Sequence, residues 1–217
     1  MKKTLMTILV SGLMLASCSK QETTDNPLLQ KWDTPFETAP FEKIKVEHYL
    51  PAFEAAIAEH NKEIQAIIDN AEAPTFDNTI AALDYSGETL SKVAGVFFNM
   101  MAANTSEELQ KVNEKVGPLM ATHSDNVSMN AKLFEKIKAV YDAKDSQKYT
   151  EEQLALLEKT YNKFVRSGAL LDAAKQEELR KVNAELTKVE SKFDANLLKE
   201  TKAYQHVIEK EEDLKGL

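Results

Sequence analysis

Cysteine occurs once in the 217 residues, as Cys18, so an internal disulfide framework is excluded. Glycine and proline are scarce, with six of each in a chain that is 43% hydrophobic and 29% charged. Few turns and long helices follow from that composition, rather than many short strands. A basic excess is lacking too: 27 Lys and Arg face 35 Asp and Glu, a net charge of −8. Without a basic patch to neutralise phosphates, nucleic acid is not expected as a partner. Chemical motifs are missing as well: there is no Gly-rich phosphate loop and no Gly-x-Ser-x-Gly elbow. The four histidines, His48, His60, His123 and His206, include no i, i+4 pair, no His-Glu-x-x-His and no Cys/His cluster. His60 and Glu63 lie on neighbouring helix faces, but a third ligand is absent, so each histidine reads as a packing or surface residue. Carboxylates are abundant, yet none stands out as a pair, and solvated helix faces account for them. The expectation is therefore no catalytic residue and no metal ligand in this chain, with substrate-binding residues unassigned.

What is present begins with a leader. Lys2 and Lys3 precede an apolar run from Leu5 to Leu15 that is too short to span a bilayer permanently. Leu15-Ala16-Ser17-Cys18 then resembles a bacterial lipobox, in which the cysteine is lipidated and becomes the new N-terminus; an ordinary secretory signal is the alternative. Residues 1–17 are read as a lipoprotein signal peptide and 18–33 as the lipidated Cys18 with a polar, flexible tether. Cleavage would leave 25 basic against 35 acidic residues, a net of −10, so lipid rather than surface charge should hold the protein to a membrane. The expected location is outside the cytoplasm, on the periplasmic side or the cell surface.

Residues 34–217 read as one all-α body, an antiparallel bundle of about six helices. The tether first docks at Asn26-Pro27-Leu28-Leu29, and Trp32, Phe36 and Phe41 are expected as buried aromatic pegs of an extended segment, a peptide-ligand motif being the alternative. Helix one starts between Val46 and Pro51, with Pro51 in its first turn, and stops near Asn70. Phe76, Ile80, Leu83, Gly87, Leu90, Ala94, Phe97 and Met101 step by four and three, which predicts one continuous helix of about seven turns. Gly87 in that stripe is expected to admit a close neighbour. Phe97, Phe98, Met100 and Met101 read as core at that spacing, an adaptable peptide groove being the alternative. Thr105-Ser106-Glu107-Glu108 resembles a capping box for a third helix, whose stripe includes Val116 and His123 and which Gly117-Pro118 should kink. A fourth helix begins after Asn130. Thr150 with Gln153 caps a fifth, which ends at Ser167-Gly168 with Gly168 left-handed. The last, capped by Asp172, runs to about Leu198 with a seam of Leu179, Val182, Leu186, Val189, Phe193 and Leu197, spaced as for coiled-coil packing against one or two neighbours, and surplus apolar surface is expected to remain along it. Tyr204, Val207 and Ile208 suggest a short strand.

Several stretches together resemble the amino-terminal region of bacterial peptidyl-dipeptidases, in the thimet oligopeptidase and neurolysin family of zinc metallopeptidases. They are Asn26 to Leu29, Thr34-Pro35-Phe36, Pro40-Phe41 with Ile44-Lys45, Glu47-His48-Tyr49, Pro51-Ala52-Phe53, Pro74 to Thr79, Ser86-Gly87 and Phe164 to Ala169. His48-Tyr49 and Phe164 to Ala169 lean toward the dipeptidyl-carboxypeptidase branch rather than oligopeptidase A. The resemblance implies a bilobed helical enzyme with a deep channel that removes C-terminal dipeptides from oligopeptides. It also implies one zinc, in the complete enzyme, held by a His-Glu-x-x-His helix and a later glutamate that this chain does not contain. The chain is then the helical amino-terminal part, truncated before the catalytic part, which would be its partner; no catalytic residue carries over. A lipid-anchored helical module that binds peptides or proteins without catalysis is the alternative.

Overall fold

A computed structural model describes residues 25–210 together with Glu212 and Lys215. Among them every regular element is helical: α1 (Val46–Asp69), a π-helical turn (Phe76–Ala81) leading into α2 (Ala82–Tyr85), α3 (Glu88–Ala103), α4 (Glu107–Ser128), α5 (Ala131–Asp142), α6 (Glu151–Arg166) and α7 (Ala173–Ala203). Most starts follow local chemistry. Thr150 Oγ1 accepts from Gln153 N at 3.2 Å while Gln153 Oε1 accepts from Thr150 N at 3.0 Å, a reciprocal capping box. Asn130 and Asp172 accept from the third residue of α5 and of α7, and Thr75 caps the π turn with Asn78 as its partner. For α4 the cap is Ser106, not Thr105, since Ser106 Oγ accepts from Leu109 N. Helix α1 opens at Val46, so Pro51 sits inside it rather than in its first turn, and Lys45 N donates to His48 Nδ1.

The long helix expected over Phe76 to Met101 is broken. Ser86 is extended and Gly87 is left-handed, with φ of 74°, which ends α2 and restarts the chain as α3. Gly87 N–H, unpaired by that break, donates to Glu63 Oε2 of α1 at 2.7 Å. The expected close approach is real: a Cβ on Gly87 would stand 3.0 Å from the His60 ring.

This corner divides the core in two. One cluster joins Tyr49, Phe53 and Ala56 of α1 to Leu90, Val93 and Phe97 of α3, Leu109 and Val116 of α4, and Leu28 of the N-terminal segment. Phe53 and Phe97 meet edge to face with centroids 5.4 Å apart, and full burial of each such ring contributes roughly 1.5–3 kcal/mol. The other cluster joins Ile64 and Ile67 of α1 and Ile80 of the π turn to Leu133, Phe134 and Ile137 of α5 and Leu157 and Phe164 of α6. Helix α1 serves both clusters, and His60 lies at the junction. Gly168 closes α6 in the left-handed region, φ 95°, with Ala169 N donating to Phe164 O.

Two apolar readings are corrected and a third is met. Asn26 and Leu28 dock as expected, and Trp32 packs under Lys92, whose Nζ lies 4.2 Å from the ring centroid. Phe36, however, is fully exposed on a left-handed turn and Phe41 is more than half exposed, so these two are not buried pegs. Along α7 the seam stays open beyond Leu179, as expected: Val182, Leu186, Val189, Phe193 and Leu197 are all at least half exposed. The face toward α4 is polar instead, with Asn183 Nδ2 donating to Asp125 Oδ1 at 2.8 Å and Arg180 to Asn126 at 3.0 Å. Thr187 of that face reaches Gly117, where a Cβ would be 3.4 Å away. Residues 204–209 form no strand; no neighbouring strand exists among the described residues to pair with them. Cys18 and the leader lie outside the described residues.

Candidate functional site

The junction between the two clusters holds a chain of polar side chains from three helical segments. His123, on the apolar stripe of α4, is buried, and its Nε2 lies 2.9 Å from Nδ1 of His60 on α1. His60 Nε2 lies 3.1 Å from Ser86 Oγ, and Ser86 Oγ lies 2.7 Å from Leu83 O. A carbonyl cannot donate, so the serine hydroxyl must give its single hydrogen to Leu83 O. Ser86 therefore accepts from His60 Nε2–H, which leaves Nδ1 of neutral His60 as an acceptor for His123 Nε2–H. The chain runs one way, from His123 through His60 and Ser86 to the α2 backbone. At its head, His123 Nδ1 is a buried acceptor with no protein donor.

Burial pushes both imidazoles below the ordinary histidine range. For His60 the Glu63 carboxylate opposes that shift and the Lys163 ammonium adds to it; for His123 the neighbouring His60 adds to it. Two cavities flank the pair. One, of about 330 Å³, is lined by His60, Ser86, His123, Ser128, Lys163 and Phe164 among others. The second, of about 400 Å³, is lined by Asn61, Lys115, Pro118 and His123 among others.

This geometry excludes one chemistry that the residue types suggest. A serine beside a histidine is a nucleophile only if the histidine can take its proton. Here His60 donates to Ser86, and the hydroxyl hydrogen points at the backbone. Nor do the residues suit a metal: the facing nitrogens are used on each other, and no three His, Cys, Asp or Glu side chains converge among the described residues. His48 and His206 lie elsewhere, at the start of α1 and after α7. The pairing of His60 with His123 escaped the sequence reading because 63 positions separate them. The one available signal was His123 on an otherwise apolar face.

Comparison with known proteins gives a consistent result. A family model described as the N-terminal domain of neurolysin/thimet oligopeptidase matches residues 53–176. The dipeptidyl carboxypeptidases of Salmonella typhimurium and Escherichia coli are each 35% identical, over 88% and 90% of this chain. Oligopeptidase A of Escherichia coli is 25% identical over 88% of it. The chain spans 28–29% of the length of these curated relatives.

Proposed function

Since the chain belongs to the neurolysin/thimet oligopeptidase family, we propose that it is the amino-terminal helical part of an exported zinc peptidase that releases C-terminal dipeptides from oligopeptides. The observation that carries the reading is the 35% identity to dipeptidyl carboxypeptidases along nearly the whole chain, against 25% for an oligopeptidase A. In this reading the helices wall the substrate channel, and zinc and the catalytic groups come from the roughly 70% of the relatives' length not represented here. The bare seam on α7 supports the same division, because five apolar side chains face water where a longer protein would cover them.

The reading predicts that this chain alone hydrolyses no peptide. Supplying the matching downstream part, in cis or as a second chain, creates chelator-sensitive release of C-terminal dipeptides. Hydrolysis by the purified 217-residue chain would sink the assignment. A reconstituted protein that binds peptides without cleaving them would favour a binding module. Lipidation of Cys18 and retention at a membrane belong to the same proposal. Cys18→Ala should leave an uncleaved or soluble form, and failure of fatty-acid label to enter the wild type would refute the anchor.

A further inference from the structure

We propose that the His60–His123 pair is a proton-sensitive latch that fastens the C-terminal half of α4, and α7 with it, to α1 and the Ser86–Gly87 corner. This inference does not depend on the peptidase reading.

The geometry makes the latch sensitive to a single proton. At neutral pH each nitrogen in the chain has one role, and each hydrogen has one acceptor. A proton added at His60 Nδ1 would set two N–H groups against each other across 2.9 Å, unless His123 moved its hydrogen to Nδ1. A proton added at His123 Nδ1 keeps the bond to His60. Either way, Nδ1–H of His123 becomes a buried donor with no protein acceptor, and a positive charge enters a desolvated junction.

The charged groups around the pair do little to relieve this. From α1, the Glu63 carboxylate acts on His60, but one of its oxygens already accepts from Gly87 N. From α2, Asp84 lines the cavity and is exposed; from α6, Lys163 brings a like charge. Lys115 of α4 lines the second cavity, and Asp125 of α4 is engaged by Asn183 of α7.

The mechanical consequence follows from adjacency. Asp125 and Asn126, which carry α7, are two and three residues beyond His123. Loosening His123 therefore loosens the seat of α7 and the apolar seam it displays.

The sign is fixed by linkage. Both histidines titrate lower folded than unfolded, so the unfolded or opened state binds more protons. The latch is then fully closed above the ordinary histidine pKa of about 6.5, and its contribution is lost as pH falls below that toward the folded values.

Hydrogen exchange on the 217-residue chain, expressed as protection factors to remove intrinsic pH dependence, tests this directly. Between about pH 7.5 and about pH 5.5, protection at residues 120–129 should fall about tenfold, while α5 holds constant. His123→Gln keeps an amide donor toward His60 Nδ1 but removes one of the two titrating rings, and its amide can turn to accept from a protonated His60, so the drop should shrink to a few-fold at most. Should that variant fail to fold, ring ¹⁵N shifts of the wild type give an independent readout. They should show Nε2–H tautomers for both histidines at neutral pH and protonation together with the loss of protection. Constant protection across the range overturns the latch, as does an equal drop in His123→Gln, or rings that stay neutral while α4 opens.

Discussion

Gly87 carries more structural consequence than its place in an apolar stripe implied. Its φ of 74° is in the region where a side chain costs about 1–2 kcal/mol, and a Cβ there would press within 3.0 Å of His60. Gly87→Ala should therefore destabilise by roughly 1–3 kcal/mol and disturb the imidazole pair, measurable by denaturant titration and by the His60 ring shifts. Phe97, fully buried against Tyr49 and Phe53, should cost about 3–5 kcal/mol as Phe97→Ala. Phe36→Ala, at a fully exposed position, should stay within about 0.5 kcal/mol. Equal melting temperatures for the two phenylalanine variants would contradict the burial described. The contrast also marks what the sequence could convey. Phe97 was legible because helical spacing reports which face is inward. Phe36 was not, because nothing local to Thr34-Pro35-Phe36 discloses that its backbone turns left-handed and aims the ring at solvent.

At the scale of elements, starts and stops were the most readable features, since a cap is settled within four residues. Thr150 with Gln153, Asn130, Asp172 and Gly168 all perform the roles their local patterns suggest. Thr150→Ala removes both the side-chain acceptor and its half of the reciprocal box, and should cost about 1 kcal/mol, with exchange rising first at the start of α6. The break at Ser86-Gly87 was missed although the same glycine logic applied to Gly168. An apolar stripe that keeps its period across Gly87 masks it. What decides between a costly helical glycine and a corner is the partner for the freed N–H. That partner, Glu63, sits 24 residues away on another helix. The histidine pair was hidden for the same reason: periodicity reports a face, not which side chain waits across from it.

For the whole molecule, the question is what covers α7. Its five exposed apolar side chains recur every three or four residues from Val182 to Leu197, a strip about 22 Å long. They present on the order of 500 Å², near the upper end for the largest apolar patch of a monomer, yet below the roughly 800 Å² per side of a stable interface. Two copies meeting through this seam should therefore associate only weakly. A continuation of the same polypeptide would face an effective concentration in the millimolar range, so a modest strip suffices in cis. Val189→Lys with Phe193→Lys places two charges on the strip without touching the α4 contact at Asn183. The stability of the 217-residue chain should change by no more than about 1 kcal/mol, while binding of a hydrophobic dye falls. In the reconstituted longer protein the same pair buries uncompensated charge, so dipeptide release should drop sharply and the two parts should separate more readily. Full activity of the doubly substituted, reconstituted protein would mean that the remainder packs elsewhere and that the seam stays open to water.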